Sequence, residues 1–111
     1  MGTYYQLESY QVSLEGKTTN GLRAVVYCKD AVHNIRCILY FWEDDMQLSG
    51  ARETDMPAGV QRFEIHYHMK EFDSVIDILR NEDPVGVYYQ SPTVAHIFTG
   101  TEPVGEGEFQ P

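Results

Sequence analysis

Between Gln61 and Gln90 the spacing of apolar residues changes from two to about 3.6 and back to two, which restricts the chain to folds holding a strand, a helix and a strand in succession. Phe63, Ile65, Tyr67 and Met69 alternate with Glu64, His66 and His68, so the first strand has one apolar and one ionisable face. Phe72, Val75, Ile76 and Leu79 follow at i, i+3, i+4 and i+7, the stripe of a short amphipathic helix. That helix is expected from Lys70 to Asn81, because Pro84 disfavours helical geometry at the residue before it. Val85–Gln90 and Thr93–Thr99 then read as a hairpin about Ser91 and Pro92.

Upstream, Tyr4–Glu15 reads as a long strand with a change of phase. Tyr5 and Leu7 lie on one face and Tyr10, Val12 and Leu14 on the other, so a bulge or bend near Ser9 is needed to keep both sets inward. The next strand is Leu22–Lys29. Ile35–Trp42, almost continuously apolar, is expected to be a central strand covered on both faces. Residues 46–60 have little periodicity, and a short edge strand is expected at Met46–Leu48.

If the loop before Ile35 is centred between Val32 and His33, residues whose numbers sum to 65 face each other, and Cys28 falls opposite Cys37. Two reduced, partly buried thiols is one reading, and a redox-sensitive cross-strand bond the other. About six strands and one helix imply an α+β fold: a curled, mostly antiparallel sheet, a half-barrel or open barrel, packed on one short helix. The expected organisation is a single domain over residues 1–100 and an acidic tail containing Gly and Pro over 101–111.

The 111 residues, 42% of them hydrophobic, suffice for one core. Seventeen acidic against eight basic residues give a net charge of −9, and the basic residues are spread along the sequence, so nucleic acid is not an expected partner. The acidity serves solubility or attraction to a basic partner. No targeting stretch heads the chain and no apolar run approaches the ~20 residues of a membrane span, so a soluble, cytoplasmic protein without membrane contact is expected.

Glu64, His66 and His68 share a strand face, and carboxylate and imidazole together make a partial zinc or copper site. Completing it requires His33, His96 or Cys28. The same residues also read as a pH-responsive surface or as an ordinary exposed strand face. No nucleophile motif surrounds Cys28, Cys37 or the serines, and the acid inside Gly105-Glu-Gly107 repels a phosphate, so neither catalysis nor a cofactor is expected. Eight tyrosines, five phenylalanines and one tryptophan exceed the needs of a small core. Tyr4, Tyr5, Tyr10, Tyr88 and Tyr89 are candidates for contact with a partner protein. Tyr88 and Tyr89 point to opposite faces, so at most one serves the core.

The run Ile78-Leu-Arg-Asn-Glu-Asp-Pro-Val85, the hairpin after it and Thr101-Glu-Pro-Val-Gly-Glu-Gly-Glu108 resemble the C-terminal third of small bacterial proteins of unassigned function. The resemblance implies a bacterial cytosolic setting, and it suggests that residues 102–108 adopt a specific docked conformation or act as a peptide ligand. From the residues themselves, the leading expectation is a noncatalytic protein-binding or regulatory module of unspecified oligomeric state. Alternatives are an apolar ligand held between sheet and helix, and metal binding on the Glu64, His66, His68 face.

Overall fold

The computed structural model describes residues 2–16, 20–55 and 60–101. Strands β1 (Thr3–Leu7), β2 (Ser9–Leu14), β3 (Leu22–Lys29), β4 (Ile35–Trp42), β5 (Arg52–Asp55) and β6 (Gln61–His68) precede one helix, α1 (Phe72–Asn81), and strands β7 (Val85–Ser91) and β8 (Val94–Thr99) follow it. They form a three-stranded sheet, ordered β1-β7-β8, and a five-stranded sheet, ordered β2-β3-β4-β6-β5. Every neighbouring pair is antiparallel except β4 and β6. The protein is α+β, with sheets that do not close into a barrel.

The change of phase near Ser9 turns out to be a change of sheet. The chain breaks at Glu8, placing Thr3 opposite Tyr89 in one sheet and Ser9 opposite Lys29 in the other. Only that transfer lets Tyr5 and Leu7, and then Tyr10, face one interior. The break and the added strand β5 account for eight strands among the described residues where about six are read from periodicity. At Asp45–Gln47, where an edge strand is expected, the chain instead makes a 3-10 turn. Asp44 Oδ1 accepts from the Met46 amide at 2.9 Å, a local bond that competes with strand pairing.

Ala24–Cys28 and Phe41–Cys37 pair in the register that sums to 65, with Cys28 directly opposite Cys37. Both thiols are free and fully buried. Burial pushes the Cys37 thiol well up, and its contact with Cys28 adds to the shift. The loop between these strands is held by Asp30, whose carboxylate accepts from the amides of Val32 and Asn34 and from Arg36 Nε at 2.8 Å. His33 takes the left-handed backbone conformation there, with φ of 67°.

Fully buried Phe41, Phe63, Leu39, Val26 and Val87 centre the core. Phe63 on β6 lies between two residues of the other sheet, 5.9 Å from the Tyr5 ring and stacked on Tyr89 at 4.8 Å. The helix stripe closes the same interior: Val75 is buried, Ile76 and Leu79 pack against the core, and Phe72 meets Phe41 edge-on at 5.1 Å. A 3-10 turn at Met69–Glu71 leads into α1, with His68 Nδ1 accepting from the Lys70 amide at 3.0 Å. Tyr67 stacks on Phe41 at 5.5 Å, and its hydroxyl is pushed up to about 12, first by burial. No described helix is long and apolar enough to cross a membrane. Residues 102–111, where the acidic tail is expected, lie outside the described residues.

Candidate functional site

Alternation along β4 sends Cys37, Leu39 and Phe41 into the core and Ile38, Tyr40 and Trp42 to the opposite face. Parallel pairing with β6 sets Ile38 beside Glu64, Tyr40 beside His66 and Trp42 beside His68. Arg52 on β5 lies opposite Glu64. Together these side chains make a contiguous cluster away from the helix.

The His66 imidazole is its centre. It stacks on Tyr40 at 5.1 Å and on Trp42 at 6.0 Å, and Trp42 Nε1 donates to its Nδ1 at 2.9 Å. Burial lowers the His66 pKa below its ordinary 6.5; Glu64 pulls it up and Arg52 pushes it down, and burial wins. The neutral ring, protonated on Nε2, is therefore the form that accepts from Trp42.

Glu64 holds the other side of the cluster. Its Oε1 accepts from Arg52 Nε at 2.6 Å; the carboxylate is only 13% exposed, whereas Arg52 is 67% exposed. The Glu64 charge also acts on Tyr40, whose hydroxyl is raised first by burial and then by that charge. The result is a cleft of about 400 Å³ lined by Tyr40, Trp42, Arg52, Glu64 and His66, with Leu22, Asn20 and Ser49 at its margin. Glu43, Asp44 and Asp45 follow Trp42 directly in the chain; Glu43 pairs with Arg23 at 3.2 Å, and Asp45 Oδ1 lies 3.7 Å from His68 Nε2.

Of the residues considered for a metal, Glu64 and His66 belong to this cluster, while His68 lies at the end of β6 with its Nε2 at 3.7 Å from Asp45 Oδ1. Glu64 Oε1 accepts from Arg52, His66 Nδ1 from Trp42 and His68 Nδ1 from the Lys70 amide. Among the described residues no group of three His, Cys, Asp or Glu side chains is placed to hold a metal ion.

The five candidate tyrosines separate. Tyr5, Tyr10 and Tyr89 pack against the core. Tyr4 and Tyr88, neighbours across β1 and β7, sit on the outward face of the three-stranded sheet. Tyr4, 47% exposed, meets Phe98 at 5.1 Å, and Tyr88 meets His96 at 5.3 Å. Glycines underlie both rings: a Cβ on Gly86 would fall inside the Tyr4 ring and one on Gly2 inside the Tyr88 ring. The ring contacts of this second patch among the described residues are with Phe98 and His96.

Tyr40, Trp42 and Arg52 are functional candidates that periodicity did not mark. Reading β4 as covered on both faces hid them, although the alternation of Ile38, Tyr40 and Trp42 with Cys37, Leu39 and Phe41 already separates two faces. Comparison with family models, with curated proteins and with solved structures finds no match to this chain.

Proposed function

We propose that the protein is a noncatalytic binding module whose outer five-stranded face docks a basic segment of a partner protein. The observation that carries this reading is the grouping of Trp42, Tyr40 and Arg52 around His66 in one cleft. Trp, Tyr and Arg are the residues that most often dominate binding energy at protein interfaces. Here the rings are pre-set by the Trp42–His66 hydrogen bond and the Tyr40–His66 stack, which reduces the ordering that a partner has to impose.

Charge selects the class of partner. The chain carries a net −9, and Glu43 and Asp45, one and three residues beyond Trp42 in the chain, are 64% and 71% exposed. A Lys or Arg beside an apolar residue matches both the acidic charge of the chain and the π-face of Trp42. Catalysis has less support, since His66 Nδ1 accepts from Trp42 and the Glu64 carboxylate is paired with Arg52. The apolar-ligand alternative also has less support. A cleft beside the end of the helix holds about 190 Å³, below the ~300–1,000 Å³ of ordinary ligand sites, and its lining includes Glu8, Ser9, Glu82 and Asp83.

Selection of displayed peptides on the folded protein, with Trp42→Ala as counter-target, tests the reading. Enriched peptides are expected to join Lys or Arg to an apolar residue, to bind less tightly as salt rises and to lose at least about tenfold in affinity on Trp42→Ala. Failure to enrich any peptide, or enrichment of peptides that bind the variant equally well, overturns it.

A further inference from the structure

The five-stranded sheet ends at β2, which has β3 on one side and, among the described residues, no strand on the other. The Glu15 amide donates to the Arg23 carbonyl at 2.9 Å, continuing the regular pairing of β2 with β3. Bonded and non-bonded positions alternate along an antiparallel pair, so the odd-numbered residues of β2 turn their N–H and C=O groups toward β3. Tyr10, Val12 and Leu14 aim theirs outward. Their side chains share the face of Cys28, Val26 and Ala24, and Val12 and Leu14 remain 38% and 67% exposed.

This edge lacks the usual defences against pairing. Ser9–Leu14 holds no charge and no proline, and its register with β3 has no bulge. The opposite edge, β5, is four residues long and carries Arg52, Glu53 and Asp55.

We propose that β2 pairs with β2 of a second copy of this chain, antiparallel about a two-fold axis at Val12, joining the two five-stranded sheets edge to edge. In that register Val12 faces Val12, Tyr10 faces Leu14 and Gln11 faces Ser13. The outward N–H and C=O groups of Tyr10, Val12 and Leu14 all gain partners, and the exposed Val12 and Leu14 side chains gain cover. The acids that flank the strand stay apart: Glu15 falls opposite Ser9 and Glu8 opposite Gly16. That spacing matters in a chain of net charge −9, because β2 lets two copies meet without opposing carboxylates. A six-residue joint is about 20 Å long, small beside the ~800 Å² per partner of a tight interface, so the dimer is expected to dissociate at about 10–100 µM.

Sedimentation velocity from about 10 µM to 1 mM tests the proposal, the mass rising from 12.7 kDa toward twice that value. Val12→Pro removes an outward donor and no bond to β3, so it is expected to keep the parent circular dichroism and remain monomeric. Val12→Lys and Val12→Glu should each be monomeric alone and should dimerise when mixed, because the two-fold axis brings opposite charges together. This charge pair decides the matter if Val12→Pro fails to fold. A parent chain that is monomeric throughout, or a dimer that survives both Val12→Lys and Val12→Glu unmixed, overturns the proposal.

Discussion

Both sheets expose an aromatic patch, but the two patches are built differently. On the three-stranded sheet the Tyr4 and Tyr88 rings lie over Gly86 and Gly2, replacing side chains that the glycines lack. On the five-stranded sheet His66 stacks on Tyr40 and Trp42 and accepts a hydrogen bond from Trp42, beside the Glu64–Arg52 ion pair. Rings over glycines complete a surface. Rings stacked on one another and tied by a side-chain hydrogen bond in a cleft present one.

The largest expected effect breaks both patches together. Phe63 touches both sheets, so Phe63→Ala should cost about 3–5 kcal/mol in denaturant unfolding and loosen the two outer faces alike. Gly86→Ala separates them. Its Cβ requires the space of the Tyr4 ring, and the half-exposed ring can swing aside, so a loss of about 1–2 kcal/mol is expected with peptide binding at the Trp42 cleft unchanged. Equal loss of binding in Gly86→Ala and Trp42→Ala would show that the patches act as one.

The smallest effect concerns protonation of His66. Its pKa is depressed in the folded protein, so the unfolded chain takes up the proton first as pH falls. The stability contributed by the neutral ring is complete above pH 6.5 and is lost as pH falls from there through the lowered folded value. Protonation of Nδ1 also removes the acceptor for Trp42 Nε1, so Trp42 fluorescence should titrate in the same window. His66→Gln should flatten that part of the stability profile and abolish the fluorescence step. An unchanged profile in the variant would assign the titration to another group.

Elements set by local periodicity were legible. Alternation delimits β6, the 3.6-residue stripe delimits α1 to within its 3-10 entry, and a loop centre between Val32 and His33 is enough to place Cys28 opposite Cys37. The order of strands was not, because a strand carries no mark of its neighbour. Nothing in Ile35–Trp42 or Gln61–His68 announces that they pair in parallel, or that β5 continues the sheet beyond β6. The candidate site inherits this limit. Glu64 and His66 were visible on one strand, whereas Tyr40, Trp42 and Arg52 join them only through pairing. Separating core from surface tyrosines needed the same information: alternation shows that Tyr88 and Tyr89 differ, and the sheet shows that Tyr89 is the one stacked on Phe63.

The break at Glu8 has a kinetic consequence. One run of chain supplies an edge strand to each sheet, and its first half waits for β7, since Thr3 pairs with Tyr89. The three-stranded sheet therefore assembles only after most of the polypeptide exists, and closing so long a loop is slow relative to forming the β3–β4 hairpin. Because Leu7 and Val85 then enter the same buried cluster as Val26 and Phe41, the two sheets should unfold in one cooperative transition.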